Sequence, residues 1–290
     1  MIILFGTGRS GSTIFMEALF RHPDLAYLSN YQEKFPSCTS INYLRKLFDN
    51  SFYRFFGKKR QLGNYNNFER LVFKASEGYP IWDYLLANNH NFSNGFLCGE
   101  KVTPKMKSHI LNYFDKIKKK QFKNKFALKI TGPGRLAFLN GIFENSKYIY
   151  LERDFIATLS SFLKSPFWEE DQSKLRWEGP YTEKELHYFN QIKNNRILST
   201  AFQLKKIISV NNSEINQFGL EIKGIKYEDF VNRPIQIIDE VLEFCELPYD
   251  QECYSYIKNN ELLNRNKKPL EYFEQEVLDK INEIDTFFNY

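Results

Sequence analysis

Eight residues near the start of the chain, "GTGRSGST" (Gly6 to Thr13), combine three glycines, four hydroxyl side chains and one arginine. They follow an apolar, partly β-branched run, "MIILF", and precede "TIFMEALFRH", in which apolar groups recur at helical spacing. A strand, a glycine-rich loop and a helix in that order make an anion site. The first N–H groups of the helix lack intrahelical partners, and the helix dipole favours negative charge there.

Which anion depends on where the loop carries its charge. Gly6, Gly8 and Gly11 satisfy the dinucleotide pattern G-x-G-x-x-G, but that pattern needs an acidic residue closing the second strand to hold a ribose hydroxyl. Here the second candidate strand closes on Ser29 and Asn30, and Glu33 lies beyond it. The same loop satisfies G-x-x-x-x-G-x-[ST] with Ser12 where a nucleoside triphosphatase has lysine. Without that lysine, and with no strand ending in a clear Mg²⁺-binding aspartate, the loop is poorly equipped for a triphosphate. The positive charge sits instead at Arg9, which suits an anion of lower charge with no obligatory metal, such as a phosphosulfate.

On these residues the chain resembles the sulfotransferases that use 3′-phosphoadenosine 5′-phosphosulfate (PAPS). The resemblance continues through "HPD" (His22 to Asp24), "LKITGPGRLAFLNGIFENSKYIYLERD", the serine pair that follows, and "IKYEDFVNRPIQIIDEVLEFCELP". It implies that Gly8, Arg9, Ser10, Gly11, Ser12 and Thr13 hold the 5′-phosphosulfate, and that Arg9 also serves the transferring group. It also implies that Arg153 and Ser161 bind the 3′-phosphate and that Lys129 stands at the bridging oxygen. A charge-assisted donor plus a hydroxyl is suitable chemistry for that 3′-phosphate. Tyr227 matches an aromatic beside the adenine. In "NRNKKP" (Asn264 to Pro269), Lys267, with Arg265 or Lys268, is the nearest counterpart of the basic loop over the nucleotide.

The resemblance leaves the base open. Small-molecule members place a histidine two positions after the lysine, where this chain has Thr131. Tyrosylprotein and glycan members use a glutamate after the second strand, which points to Glu33, and "GEKVTP" offers Glu100. The implied reaction is sulfuryl transfer from PAPS to a hydroxyl of a carbohydrate, glycolipid or small metabolite, with adenosine 3′,5′-bisphosphate (PAP) as product and no metal. A P-loop kinase is the alternative enzyme. A nucleotide-binding module or a basic-patch interaction protein is the non-enzymatic one.

These residues need a scaffold. Candidate strands at "MIILF", "LAYLS", "KFALKI", "KYIYLER" and "LEIKGIKY" alternate with helical patterns, including one long run from Glu183 to Ser209. That alternation predicts a single α/β domain over residues 1–290, with a parallel sheet of about five strands, helices on both faces and ligands beyond the carboxyl ends of the strands. The resemblance does not reach residues 31–94 and 166–195, where acceptor specificity is expected.

The 40 Lys and Arg against 35 Asp and Glu leave a net charge of +5, with six lysines concentrated in "KIKKKQFKNK" (Lys116 to Lys125). That run offers a landing surface for an acidic substrate, a membrane surface or nucleic acid; a solvated helix end and connector is the reading preferred over it. No nucleic-acid motif accompanies it. The four histidines form no metal-binding pair, and Cys38, Cys98, Cys245 and Cys253 have no C-x-x-C spacing. With no apolar stretch near the roughly 20 residues of a membrane span, and a first strand at Ile2 leaving no room for a leader, a cytoplasmic protein is expected.

Overall fold

A computed structural model of the chain describes residues 1–49, 72–87, 90–168, 173–258, 262, 264–266 and 273–288. Five parallel strands form one sheet in the order β2-β3-β1-β4-β5: β1 (Ile2–Gly6), β2 (Leu25–Tyr27), β3 (Lys125–Thr131), β4 (Lys147–Glu152) and β5 (Ile222–Lys226). The single α/β domain read from the sequence is therefore present. Strand β1 lies at the centre and is buried along its whole length, which explains its lack of polar alternation.

Its side chains feed two cores. Ile3 and Phe5 join one face with Trp82, Ile110, Phe114 and Leu139, from α4 (Tyr79–Leu86), α5 (Pro104–Lys120) and α6 (Leu136–Ile142). Ile2 and Leu4 join the other with Phe15, Leu19, Ile238 and Tyr254, from α1 (Ser12–Leu19), α11 (Pro234–Phe244) and α12 (Gln251–Lys258). Burying a Leu, Ile or Phe side chain contributes roughly 1.5–3 kcal/mol before entropy is counted, so register here is strongly specified. The connection from β1 runs to the edge strand β2, whereas that from β3 runs to β4 on the other side of β1. Such a divergence leaves a crevice at the carboxyl ends of the central strands.

Several elements differ from the sequence expectation for local physical reasons. Strand β2 stops at Tyr27, because Ser29 becomes the N-cap of α2 (Asn30–Lys34), its hydroxyl accepting from the N–H of Gln32 at 3.0 Å. The irregular stretch after it holds a 3₁₀ turn (Thr39–Leu44) and α3 (Arg45–Phe48) before α4. Beyond α7 (Phe155–Leu163), the long helical run divides into α8 (Glu183–Ile192) and α9 (Arg196–Phe218). Asn195 is extended there and caps α9, its side chain accepting from the N–H groups of Ile197 and Leu198. α10 (Tyr227–Asn232) follows β5 directly, and α13 (Gln275–Phe288) closes the described chain. A third core, with Phe162, Trp168, Trp177, Phe202 and Phe288, joins α7, α9 and α13.

The lysine run ends α5 and opens β3, at the opposite end of that strand from Thr131. Much of it is engaged: Lys118 and Lys119 pair with Asp115, and Lys123 with Asp49. The Lys125 ammonium donates to the carbonyls of Cys245 and Glu246. Among the described residues no helix is long and apolar enough to cross a membrane.

Candidate active site

The glycine-rich loop lies at the carboxyl end of β1, and close packing explains its small residues. A Cβ on Gly11, whose φ is 85°, would come within 2.3 Å of the Tyr227 ring, and one on Gly8 within 2.9 Å of the Phe162 ring. The backbone here thus lies directly on side chains of α7 and α10. Ser10 is fully buried and its hydroxyl donates to the carbonyl of Thr7 at 2.7 Å. Arg9 adopts φ 66°, a left-handed conformation that costs a non-glycine residue about 1–3 kcal/mol and is found where the surroundings enforce it.

What enforces it is contact with α7 and with the residue that follows β4. The Arg9 Nε donates to Ser161 Oγ at 3.0 Å, and Arg153 Nη1 donates to the Arg9 carbonyl at 2.9 Å. Arg153 lies with its guanidinium carbon 4.8 Å from the Tyr227 ring centroid, and its Nε donates to Asn266 Oδ1 at 2.9 Å. Asn266 in turn donates to Glu228. Asp154 turns its side chain to the N–H of Ala157, capping α7. Arg9, Arg153, Ser161 and Tyr227, distant in sequence, therefore meet at one place.

The electrostatics of this cluster are unbalanced. Burial, followed by the charges of Arg153 and Arg265, pulls the Arg9 guanidinium below its ordinary value. Burial is likewise the main cause of a downward shift at Arg153, opposed by Tyr227, Glu228 and Asp154 and reinforced by Arg265. Among the described residues no carboxylate pairs with Arg9. Gathering three guanidinium groups costs free energy that a bound anion offsets. Lys267 lies outside the described residues, as does Lys268.

A second cluster stands across the loop. Lys129, opposite Leu4 in the β1–β3 register, is 3% exposed. Its ammonium donates to Thr13 Oγ1 at 3.0 Å and pairs with Glu77 Oε1 at 2.8 Å. The other oxygen, Glu77 Oε2, accepts from Thr131 Oγ1 at 2.6 Å. The Tyr79 hydroxyl donates to the Thr131 carbonyl at 2.6 Å, and burial, with the charge of Glu77, pushes its phenol up to about 12. Thus Thr131, standing where small-molecule sulfotransferases have histidine, orients a carboxylate.

The two glutamates read from the sequence are placed elsewhere. Glu33 accepts through Oε1 from the N–H of Gly78 at 2.8 Å, one residue along from Glu77. Glu100 lies 3.1 Å from His90 Nδ1, and its side chain is 46% exposed. Glu77 itself escaped sequence reasoning because it belongs to no spaced motif. It reaches β3 because residues 72–76 fold back on the end of β2: Ser76 N–H donates to the Leu28 carbonyl at 2.8 Å, and Ser29 bridges Ala75. Only a signal for that pairing could have found it, and one backbone bridge leaves none. Among the described residues, no group of three or more His, Cys, Asp or Glu could hold a metal ion.

The loop after β3 is held from behind. Asn211 and Glu214 of α9 accept from the N–H groups of Gly134 and Leu136, both at 2.8 Å. A Cβ on Gly132 would lie 3.5 Å from Trp177 Nε1. The two segments outside the recognised motifs therefore both reach the end of β3, one through Glu77 and Tyr79, the other through Trp177.

A five-stranded parallel sheet with a glycine-rich loop at the carboxyl end of its central strand is a P-loop-like α/β fold. The sequence matches the sulfotransferase family over residues 2–251, and the chain belongs to that family. No curated protein matches it closely. Among solved structures it is similar to sulfotransferase STF9 from Mycobacterium avium, with 16% identity and a TM-score of 0.57 over 99% of this chain and 76% of that one. It is also similar to sulfotransferase STF1 from Mycobacterium tuberculosis H37Rv, with 11% identity and a TM-score of 0.52 over 97% and 76% respectively. At those identities the likeness concerns the fold. Membership of the family makes the chain a transferase of sulfuryl groups.

Proposed function

We propose that the protein uses PAPS as its donor and sulfates a hydroxyl of a carbohydrate, glycolipid or small metabolite. The observation that carries this reading is the meeting of Arg9, Ser161 and Arg153 against the loop, with Lys129 bonded to Thr13 on the loop's other side. The residues present suit the donor chemically. The loop leads into the N-terminus of α1, whose first N–H groups suit an anion, and an arginine cluster with no carboxylate on Arg9 among the described residues suits phosphate.

When bound, PAPS supplies an activated sulfuryl group joined to the 5′-phosphate. Arg153, Ser161 and Arg265 hold the 3′-phosphate, and the Tyr227 ring flanks the nucleoside. The first N–H groups of α1, with Arg9, hold the 5′-phosphate and the sulfuryl oxygens. Lys129 places its charge where the bond to phosphate breaks, stabilising the negative charge that develops on the departing oxygen. The burial of Lys129 among Thr13 and Glu77 fixes its orientation beforehand, so little reorganisation is needed in the transition state. A kinase reading would need a lysine at Ser12, which the chain lacks.

The test is to incubate the protein with PAPS and a panel of phenols, sugars and glycolipids in a chelating buffer, and to follow each acceptor by mass spectrometry. The expected result is an acceptor that gains one SO₃ group while PAP accumulates in equal amount. Phosphoryl transfer from ATP in a parallel incubation supplied with Mg²⁺, with no sulfate ester from PAPS, would replace this reading with the kinase one.

A further inference from the structure

We propose that Glu77 is the base that takes the acceptor's proton, and that Glu33 acts through it as a positioning residue. The inference rests on the sulfuryl-transfer reading above and goes beyond it, because residue 77 lies in a segment that the recognised motifs do not cover. Three observations meet. Glu77 is the carboxylate bonded directly to the Lys129 ammonium, at 2.8 Å, and Lys129 is bonded in turn to the loop through Thr13. Its second oxygen is oriented by the Thr131 hydroxyl at 2.6 Å. Its side chain is 26% exposed whereas that of Lys129 is 3% exposed, so the carboxylate borders solvent while the ammonium it pairs with is buried.

The turn that presents Glu77 is itself fixed. Gly78 has φ 75°, and a Cβ there would come within 2.2 Å of the Leu28 side chain; its N–H is held by Glu33 at 2.8 Å. A hydrogen-bond acceptor is all that this contact asks of Glu33, and a glutamine carbonyl supplies one. A base needs a carboxylate. The amide of glutamine cannot take a proton at neutral pH.

The step balances as follows. The acceptor O–H proton passes to the Glu77 carboxylate while the acceptor oxygen forms its bond to sulfur. The bond between sulfur and the phosphate oxygen breaks, with its electron pair left on that oxygen beside Lys129. Nothing is oxidised or reduced, and the proton leaves Glu77 for water after the product departs. The Lys129–Glu77 pair thus brings together the two groups that bond making and bond breaking require.

The experiment compares Glu77→Gln, Glu77→Asp, Glu33→Gln and Glu33→Ala with the parent. It uses PAPS, the best acceptor of the panel and a series of substituted phenols, with PAP binding measured separately by calorimetry. Glu77→Gln is expected to lose about 10²–10⁴-fold in kcat, with PAP affinity nearly unchanged. Its deficit should shrink towards the nitrophenols, whose proton leaves with less help, and the acid limb of its kcat/KM profile should disappear. Glu77→Asp keeps a carboxylate and should recover part of the rate. Glu33→Gln should stay close to the parent and Glu33→Ala should not.

Full activity of Glu77→Gln, or a deficit equal across all phenols, would overturn the base role, the second result assigning Glu77 to holding Lys129 alone. A loss in Glu33→Gln as large as in Glu77→Gln would transfer the base to Glu33. A parent that neither binds PAP nor forms a sulfate ester would instead overturn the donor assignment on which the inference rests.

Discussion

Lys129→Ala is expected to lower kcat by about 10²–10³-fold, the range for removing one preorganised donor aimed at developing negative charge, while PAP affinity changes little. The reason is where the ammonium stands. It is buried at the end of β3 and reaches Thr13 at 3.0 Å, beside the loop yet away from the Arg9–Ser161–Arg153 cluster that would hold the nucleotide. A charge so placed is needed most when the bond to phosphate breaks, so its loss should appear in kcat and in kcat/KM alike. Removing it also breaks the Lys129–Glu77 ion pair, so part of the deficit will be shared with Glu77→Gln and the two losses will not add. Rapid-quench single-turnover kinetics check the point, because they separate the chemical step from product release. A normal single-turnover rate in Lys129→Ala would remove Lys129 from the chemistry.

Arg153→Ala should act at the opposite end of the site and mainly on binding. Its guanidinium supports the Arg9 carbonyl, lies over Tyr227 and bonds to Asn266, so truncation removes the charged contact proposed for the 3′-phosphate and loosens the backbone that presents Arg9. Loss of a hydrogen bond to a charged group is worth about 1.5–3 kcal/mol, or roughly 10- to 150-fold in dissociation constant. The preference for PAP over 5′-AMP should fall by a similar factor, since only PAP carries the 3′-phosphate. Calorimetric titration of both nucleotides into parent and variant measures this. If the variant binds both as the parent does, Arg153 is purely structural and its position behind β4 misleads.

The residues that gather around the glycine loop were legible in the sequence and Glu77 was not, for a physical reason. The glycine loop is local: strand, turn and helix occupy consecutive residues, and Gly8 and Gly11 record in their own identity that Phe162 and Tyr227 press against them. Lys129, Arg153 and Ser161 are bound to regular elements whose hydrophobic patterns fix which end of the strand they reach. Hence the sheet, its helices and the family were readable from residue types and spacing. Glu77 has no such anchor. It is brought to Lys129 by a short bridge between Ser29 and Ala75 and by the turn at Gly78, contacts whose partners are far apart in the chain and unmarked by any periodicity. Glu33, read as a candidate base because it follows the second strand, accepts from the Gly78 N–H. The undivided helix expected from Glu183 onward failed for a similar reason, since nothing in apolar spacing records that Asn195 caps a new helix.

The account depends most on which anion the loop and arginine cluster accept. Calorimetric titration of the parent protein with PAP, ATP and NAD, each with Mg²⁺ and with chelator, tests this most directly. PAP is expected to bind far more tightly than ATP or NAD, with or without Mg²⁺. Tight binding of ATP that appears only with Mg²⁺, with PAP weak under both conditions, would contradict it.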